Sequence, residues 1–503
     1  MTSPLTIIGL EVHVQLQTRT KIFCGCANRF NPEEPNVQTC PVCLGLPGAL
    51  PVMNRLALEL SLQAGLALEG SIAALTKWDR KQYYYPDLPK AYQISQYDLP
   101  FCQGGHLDVE VQHEEQGERE TRRIRLIRVH LEEDAGKNLH DESGGGGESR
   151  VDLNRAGTPL LEIVSEPDIR SAPEAHRFLE ELRLLMVYLE VSDCNMQEGS
   201  LRCDANVNLE LTNPAGEAVR TPIVEVKNLN SFRGVEAALT FEIARQEREF
   251  DECDGVYPDD SKQTRGWDAQ RGVTFAQRGK EDASDYRYFP DPDLLPVTFS
   301  DEYVAELRDR LCEPPAQRRS RFVEQMGLSD YDAAVLIDQG PHTADYFERV
   351  ALECQDAKRA ANWVTQDVLR ELKERDQAID DFAVDPQELA TLISLIIAEE
   401  LTTRSGREVF AALVEGEGGE GTVSERIDRI VAERGLAAVA DTDQLDQLIE
   451  TVIAGNQQAA DDFRDGKEAA IGKLIGEVMR EAGGADPKTV REALIAKLRS
   501  QVE

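Results

Sequence analysis

The chain has 503 residues, 41% of them hydrophobic and 29% charged, so a single small module is excluded and about two to four domains are expected. No apolar run approaches the roughly 18 residues of a membrane span, and the N-terminus shows no basic segment followed by an apolar one, which predicts a soluble, cytoplasmic protein. Lys and Arg number 55 against 92 Asp and Glu, giving a formal net charge of −37.

The acidic excess is spread along the chain, and at low salt it would repel a bare phosphate backbone. Dispersed acidity also suits a high-salt cytoplasm, where the screening length falls to roughly 3 Å at about 1 M salt. A halophilic source is therefore our hypothesis. Under it, charge does not exclude an RNA partner, because local arginine patches and shape can still bind RNA.

The first predicted element is a strand from Ile7 to Leu16, which alternates from Gly9 onward. Its alternation places Glu11, His13 and Gln15 on one face and the apolar residues on the other. Taken alone, the segment favours an amphipathic strand that shows its polar face to water; the other acidic residues on predicted strands favour a site.

Four of the ten cysteines form two closely spaced pairs, Cys24-Gly-Cys26 and Cys40-Pro-Val-Cys43, with thirteen residues between them. Such pairs can close a tetrahedral site of four thiolates, which predicts structural Zn²⁺. Disulfides are disfavoured because no secretion signal is seen. The alternative is four buried thiols without a metal.

The segment 77–90 gathers tyrosines and four cations, among them Lys81, in an otherwise acidic chain. It could face phosphates or stack on a base. The competing interpretation is a proline-stiffened loop whose tyrosines pack on a sheet.

A strand predicted over 123–131 leads into a run of acids. Its apolar positions change parity between Leu126 and Ile127, which indicates a β-bulge. Extending the later parity places Glu133 on the apolar side, where a carboxylate needs a cation or a hydrogen-bonding partner.

Two more carboxylates, Glu162 and Asp204, stand within predicted strands. Several carboxylates and one imidazole on strands match a Mg²⁺ site for nucleotide chemistry, in which hard oxygen ligands hold the metal. The sequence contains no P-loop, kinase or dinucleotide-binding signature. Any ATP is therefore bound in another way.

The pattern of predicted secondary structure changes near Pro296. Before it, short strands are interrupted by helices, the clearest starting at Ser171 with a capping pattern, which predicts an α+β domain with a mostly antiparallel sheet. After it, the periodicity is helical throughout. Breaks in the pattern give three predicted domains, at 1–295, 296–405 and 406–503.

Several motifs together resemble the B-subunit family of aspartyl/glutamyl-tRNA amidotransferases, known as GatB of the GatCAB complex, over essentially the whole chain. These motifs are Ile8–His13, Asp79–Lys81, Tyr85–Lys90, Ala91–Gln96, His130–Lys137, Val151–Arg155, Ser165–Asp168, Glu198–Asp204 and Asp285–Pro290.

The resemblance implies an ATP-dependent activation of the side-chain carboxylate of Asp-tRNA(Asn) or Glu-tRNA(Gln), followed by amidation with ammonia from glutamine. It also implies a heterotrimer with the A and C subunits of the complex that binds misacylated tRNA, and neither a membrane nor DNA as partner. The fold expected from it is a cradle domain similar to glutamine synthetase, followed by a helical domain and a YqeY-like tail that binds tRNA. The zinc module predicted from the cysteine spacing at 24–43 falls within the cradle domain.

The resemblance also assigns roles to residues at matching positions. His13, Glu133 and Glu162 are expected to bind Mg²⁺. Structural Zn²⁺ at Cys24, Cys26, Cys40 and Cys43 is predicted from their spacing and not from the resemblance, because some members of the family lack these cysteines. Expected neighbours of the nucleotide or of a second ion are Glu11, Glu132, Glu198 and Asp204. Lys81 and Arg202 are weaker candidates for contacting phosphate.

Two other functions stay open at this point. The chain could be a non-catalytic, zinc-containing scaffold that binds tRNA while its partners perform the chemistry. A zinc-dependent hydrolase is less favoured, because four thiolates leave no open position on the metal. The carboxylates placed within strands favour the enzyme.

Overall fold

The computed structural model describes residues 4–29, 32, 34–112, 119–140, 149–257, 262–277, 286–437, 442–464, 467–481 and 487–500. The chain forms two compact units, residues 1–316 and 317–503. The first combines a large sheet with helices, and the described part of the second is helical. The predicted order of an α+β half followed by a helical half is confirmed. None of the described helices is long and apolar enough to cross a membrane.

The first unit holds the strands. In chain order they are β1 (Leu5–Gln15), β2 (Ser71–Ile72), β3 (Leu75–Thr76), β4 (Asp79–Gln82), β5 (Tyr92–Ser95), β6 (Cys102–Gln103), β7 (His106–Gln112), β8 (Arg119–Glu133), β9 (Lys137–His140), β10 (Ser149–Asp152), β11 (Pro159–Ser165), β12 (Leu201–Thr212), β13 (Ala218–Arg220), β14 (Val224–Leu229), β15 (Gln263–Asp268), β16 (Val273–Ala276), β17 (Phe289–Pro290) and β18 (Val297–Thr298). Its helices are α1 (Arg55–Ala67), α2 (Ala172–Tyr188), α3 (Phe232–Glu252) and α4 (Asp301–Asp309).

The large sheet has the strand order β16-β15-β14-β12-β1-β11-β8-β6-β2, with β13 added to β12 and β7 added to β8. Among the described strands of this sheet, β14 and β15 pair in parallel and the other pairings are antiparallel. A small sheet in the order β17-β4-β5 carries Lys81. The prediction of a mostly antiparallel sheet is therefore confirmed.

The alternation predicted for the first strand is present in β1. The inward-facing apolar side chains of β1 and of the adjoining Leu16 are at most 2% exposed and join a core with residues of α2 and α3; they are Ile8, Leu10, Val12, Val14 and Leu16. Burying such side chains stabilises the fold by about 1.5–3 kcal/mol each. The opposite face of β1 therefore carries Glu11, His13 and Gln15.

The predicted bulge is also confirmed. Val164 of β11 pairs with Arg128 and Ser165 pairs with Leu126, so the register passes over Ile127. Ile127 is 43% exposed, whereas Val129 and Leu131 are buried. The extra residue changes which positions face the core, so that Val129 and Leu131 point inward. The acidic residues follow them at the end of β8.

Helix α2 begins where the capping pattern predicts. The Ser171 hydroxyl accepts a hydrogen bond from the backbone N–H of Glu174 at 3.3 Å, and a proline occupies the first turn. The Glu174 carboxylate accepts from the backbone N–H of Arg170 at 2.8 Å. Phe178, Leu182 and Leu185 on its inner face are buried.

The second unit begins within α5. The helices are α5 (Pro315–Glu324), α6 (Asp330–Asp338), α7 (Pro341–Cys354), α8 (Ala357–Trp363), α9 (Leu369–Arg375), α10 (Pro386–Ile397), α11 (Thr403–Val414), α12 (Val423–Arg434), α13 (Thr442–Gly455), α14 (Gln457–Arg464), α15 (Ile471–Glu481) and α16 (Pro487–Ser500). A π-helical turn over Val364–Val368 connects α8 to α9. Helices α13 to α16 share a small apolar core of their own.

Candidate active site

A row of polar side chains crosses four neighbouring strands of the large sheet. His13 of β1 lies directly opposite Arg202 of β12 on one side and Glu162 of β11 on the other. Glu162 lies opposite His130 of β8. Directly opposed residues of neighbouring strands project from the same face. The register therefore places these four side chains next to one another.

Glu132 completes a cluster with three of these groups, His13, His130 and Glu162. The Nε2 atom of His13 is 3.4 Å from Oε2 of Glu162 and 4.0 Å from Oε1 of Glu132. The Nε2 atom of His130 is 3.3 Å from Oε2 of Glu162 and 3.7 Å from Oε2 of Glu132. The His13 side chain is 20% exposed and that of His130 only 3%. The cluster thus opens to solvent on the His13 side.

Opposite charges outweigh burial within this cluster. Burial opposes ionisation of Glu162, but the two neighbouring imidazoles hold its pKa well below the ordinary value. Burial lowers the pKa of His130, yet Glu162 and Glu132 raise that pKa to about 9. The pKa of His13 is raised against burial in the same way. The two carboxylates therefore attract positive charge into the site.

Three members of the cluster are arranged as ligands of one ion. One donor atom from each of His13, Glu132 and Glu162 lies within 4.8 Å of the other two. Ser95 Oγ donates to Oε2 of Glu132 at 3.0 Å and so orients that carboxylate. The Nδ1 atom of His130 is buried and has no hydrogen-bond partner among the described residues. Carboxylate oxygens are the ligands that Mg²⁺ prefers, so the donor set fits a divalent cation.

Glu133 lies outside this ligand set, although the sequence predicts it as a ligand. Its Oε1 atom forms an ion pair with Lys90 Nζ and accepts from the backbone N–H of Ile94 at 2.8 Å. Both side chains of the ion pair are buried, at 7% and 3% exposure. The alternation of the strand places Glu133 on the apolar side, where its carboxylate needs a cation or a hydrogen-bonding partner. Lys90, from segment 77–90, is that cation.

Glu11 and Asp204 form a second polar group. The two residues are opposite each other on β1 and β12. Asn206 Nδ2 donates to Oε1 of Glu11 at 3.0 Å, and Lys227 Nζ is 2.6 Å from Oδ2 of Asp204. These two predicted neighbours are therefore adjacent, and Asp204 is paired with a lysine.

A cavity of about 660 Å³ adjoins the row at Arg202. It is lined by four cationic side chains, namely Arg29, Lys137, Arg155 and Arg202. Glu198, on the exposed loop before β12, also lines it. Asp152 and Asp193 also belong to its wall, so cations outnumber carboxylates there by four to three, in a chain of net charge −37.

Asp134 holds two of these cations. Its Oδ2 atom is 2.7 Å from Arg202 Nη2 and 3.4 Å from Arg155 Nε. Gln15 Nε2 donates to the same oxygen at 2.8 Å. The Nε atom of Arg202 is buried without a hydrogen-bond partner in the described part of the chain. The guanidinium groups are thus fixed in place with donor capacity left for an anion.

Lys81 lies on β4 among aromatic rings. Its Nζ is 5.0 Å from the ring centroid of Tyr286 and 5.8 Å from that of Tyr83. Burial lowers its pKa, but the charges of Glu132, Glu162 and neighbouring tyrosines raise it overall. Lys81 therefore stays charged beside the carboxylate cluster. Of the three tyrosines of segment 77–90, Tyr83 packs against Tyr286, whereas Tyr84 and Tyr85 are exposed.

The four predicted zinc cysteines converge. Their sulfur atoms lie within 4.8 Å of one another. The Sγ atoms of Cys40 and Cys43 are 3.9 Å apart, near the about 3.8 Å that tetrahedral Zn–S bonds impose. A hydrogen bond from Cys24 holds the pKa of Cys43 at about 5, with Lys21 contributing, although burial opposes this. The cluster is compatible with Zn²⁺, the metal that four thiolates favour.

Sequence reasoning omitted four residues that shape these sites, namely Lys21, Lys90, His130 and Asp134. For His130 a signal existed, because it stands two residues before Glu132 and period-two geometry places both on one face. Asp134 and Lys90 lie within the family motifs, but no spacing reveals their partners. Nothing in the local sequence marks Lys21 as buried.

Comparison with known proteins identifies the family. The family model described as "GatB/GatE catalytic domain" matches residues 6–305, and the "GatB domain" model matches residues 345–498. The chain belongs to the family of aspartyl/glutamyl-tRNA(Asn/Gln) amidotransferase B subunits.

Three bacterial relatives, each named as the B subunit of an aspartyl/glutamyl-tRNA(Asn/Gln) amidotransferase, resemble the chain along nearly its whole length. The Rhodopirellula baltica protein is 51% identical over 97% of this chain and 96% of its own. That of Trichlorobacter lovleyi is 47% identical over 98% of both chains. That of Geobacter sulfurreducens is 47% identical over 98% of this chain and 99% of its own.

Proposed function

We propose that the chain is the B subunit of a tRNA-dependent amidotransferase. It uses ATP to activate the side-chain carboxylate of Asp-tRNA(Asn), Glu-tRNA(Gln) or both, and amidates it with ammonia released from glutamine. The reaction is inferred from the family to which the chain belongs. The observation that supports its location in this chain is the cluster of His13, Glu132 and Glu162 beside the cation-lined cavity.

The cavity suits the nucleotide. Its volume of about 660 Å³ is within the usual range for ligand pockets, roughly 300–1,000 Å³. Arginine and lysine side chains on its wall supply donors for phosphate oxygens. Arg202 is the central contact in this proposal, because it is fixed by Asp134 and lies opposite His13 in the row.

We assign His13, Glu132 and Glu162 as the residues that would hold Mg²⁺. When bound, the ion would neutralise charge on the phosphate oxygens during transfer. His130 and Ser95 contact the two carboxylates and keep them oriented. Glu11, Glu198 and Asp204 are proposed as nearby groups that contact the nucleotide or a second ion.

The chemistry then proceeds in two balanced steps. An oxygen of the substrate's side-chain carboxylate attacks the γ-phosphorus of ATP, and ADP leaves. Arg202 and Lys81 stabilise the negative charge spread over the transferred group. Ammonia next attacks the acyl carbon and releases phosphate, which leaves the amide on the tRNA and a proton to be removed.

The larger architecture is part of the same proposal. Residues 1–295 would form a catalytic cradle of the glutamine synthetase type, with a structural Zn²⁺ bound at 24–43. Residues 296–405 and a YqeY-like tail at 406–503 would contact the tRNA. In the heterotrimer, the A subunit would hydrolyse glutamine, with the C subunit as the third member.

The test is amidation of both aminoacyl-tRNAs in molar KCl with Mg²⁺, ATP, glutamine and the partner subunits. Glu162→Gln keeps the shape of the side chain and removes its charge, so we expect product formation to fall at least about 100-fold. Glu210→Gln is the matched control, since its carboxylate stands on the same sheet and pairs with Arg220. It should react as the wild type does.

The rival function is a non-catalytic scaffold that binds tRNA for its partners. It predicts equal product from the wild type and Glu162→Gln, with tRNA binding retained in both. Measuring tRNA binding and the circular dichroism spectrum of each variant separates lost chemistry from lost folding. Equal product would contradict the assignment of the phosphoryl-transfer site to this chain.

A further inference from the structure

Lys21 is a fully buried lysine next to the cysteine cluster. Its side chain has 0% exposure. The Nζ atom donates to the carbonyl oxygens of Gln38 and Ala156, both at 2.6 Å, and lies 3.9 Å from Sγ of Cys43. No carboxylate of the described residues pairs with it. Buried ammonium groups are unfavourable without a compensating charge.

The cysteine cluster supplies the missing charge. Four thiolates around Zn²⁺ leave a net charge of about −2 on a buried centre. Groups that contact metal ligands tune the affinity of the site for the metal. A positive Nζ beside Cys43 therefore stabilises the tetrathiolate, and the tetrathiolate in turn stabilises the buried ammonium.

The two carbonyl acceptors of Lys21 belong to different segments. Gln38 is in the connection between the two cysteine pairs, and Ala156 is in the loop between β10 and β11. That loop also contributes Asn154 and Arg155 to the wall of the 660 Å³ cavity. The backbone N–H of Gln38 donates to Oδ1 of Asn154 at 2.8 Å. Lys21 thus joins the cysteine segment to one wall of this cavity.

The same segments contact the Lys90–Glu133 ion pair. Gly157, with φ +83°, lies beside both groups, since a Cβ there would be in ordinary van der Waals contact, 3.5 Å from Cys43 Cβ and 3.9 Å from Glu133 Oε2. Gly45, two residues after Cys43, leaves no room for a side chain against Lys90. A cavity of about 300 Å³ lies between these groups. A shift of the cysteine segment would therefore move Lys90.

We propose that Lys21 is a positioning residue that couples occupancy of the cysteine cluster to the geometry of the ATP cavity. Its ammonium compensates the charge of the zinc-bound tetrathiolate and holds the 154–157 loop against it. The second half of this inference rests on the proposed function, since it concerns ATP. The first half concerns zinc binding and stands independently of the reaction.

The zinc experiment compares the full chain, purified with its partner subunits, as wild type, Lys21→Met, Lys21→Arg and Lys262→Met. Zinc affinity is measured by chelator competition, and Co²⁺ replacement reports thiolate ligation through its absorption bands. We expect Lys21→Met to bind zinc about 10–100-fold more weakly and Lys21→Arg, which keeps the charge, to lose less. Lys262→Met removes the charge of an exposed lysine and should match the wild type.

The coupling experiment needs no variant. Zinc is removed from the wild-type complex with a chelator, and the KM for ATP is measured in the amidation reaction before removal, after removal and after Zn²⁺ is restored. We expect the KM to rise at least about fivefold while kcat changes less than about twofold, and both to recover with zinc.

Two results would overturn the inference. The first is unchanged zinc affinity in Lys21→Met, or equal losses in Lys21→Met and Lys21→Arg, because charge would then not matter. The second is an unchanged KM for ATP in the zinc-free wild type. If Lys21→Met does not fold, the chelation experiment still decides the coupling. A wild type with no amidation at all would instead contradict the proposed function and leave the zinc measurement intact.

Discussion

Adjacent acidic residues at the end of β8 have different surroundings. Glu132 contacts both imidazoles and Ser95, whereas Glu133 pairs with Lys90 and the Ile94 backbone. Neighbouring residues of a strand project to opposite faces, so only one of the two can join a row on a given face. Their roles in this chain are therefore separable by single substitutions.

We predict that Glu132→Gln weakens binding of Mn²⁺, used as a spectroscopic substitute for Mg²⁺, at least about tenfold. Glu133→Gln should retain Mn²⁺ affinity within about threefold, because the Glu133 carboxylate forms an ion pair with Lys90 and does not face the metal site. Electron paramagnetic resonance titration of free Mn²⁺ measures both. A larger loss of Mn²⁺ affinity in Glu133→Gln than in Glu132→Gln would instead identify Glu133 as a ligand.

Arg202 should bind the nucleotide more than it supports the fold. Arg202→Met removes charge-assisted hydrogen bonds worth about 1.5–3 kcal/mol, so the KM for ATP should rise about 10–100-fold. Steady-state amidation kinetics at varied ATP provide the measurement. Arg220→Met, which removes an exposed arginine of β13, is the control and should leave KM unchanged. A wild-type KM in Arg202→Met would place the phosphates elsewhere.

At the scale of elements, the row depends on pairing between strands that are far apart in the sequence. Strand β1 pairs with β11 and β12, which begin more than 140 residues later. A register slip of one residue would turn His13 or Glu162 toward the core. The apolar face of β1 and the bulge at Ile127 oppose such a slip. The packing of the sheet thus sets the geometry of the site.

Helix α2 offers a test of local stability. Ser171→Ala removes the side-chain acceptor for the Glu174 N–H and should lower the free energy of unfolding of the first unit by about 1 kcal/mol. Ser171→Gly should cost only a few tenths. Urea denaturation followed by circular dichroism compares them. Equal stability of Ser171→Ala and the wild type would show that the cap is dispensable.

At the scale of the whole molecule, the net charge of −37 leads us to expect that the stability of the chain depends on salt. Repulsion among like charges destabilises a compact chain, and salt screens it. We predict that the midpoint of thermal unfolding rises by several degrees between about 0.1 M and 2 M KCl. Scanning calorimetry provides the measurement. A midpoint that is flat or falls with KCl would argue against adaptation to high salt.

Several structural features of this protein can be predicted from short stretches of its sequence. The alternation of β1, the bulge at Ile127, the start of α2 and the convergence of four cysteines were all predictable, as was family membership from the motifs. Each depends on spacing over a few residues, where backbone geometry and ligand preference act locally.

The tertiary structure alone decided which polar groups meet. It placed Glu132 beside His13, gave Glu133 to Lys90, joined Arg202 to Asp134 and buried Lys21 against Cys43. These contacts link strands and loops separated by 20 to more than 100 residues. Local periodicity says which face a residue occupies, but only the register between distant strands determines what stands opposite it.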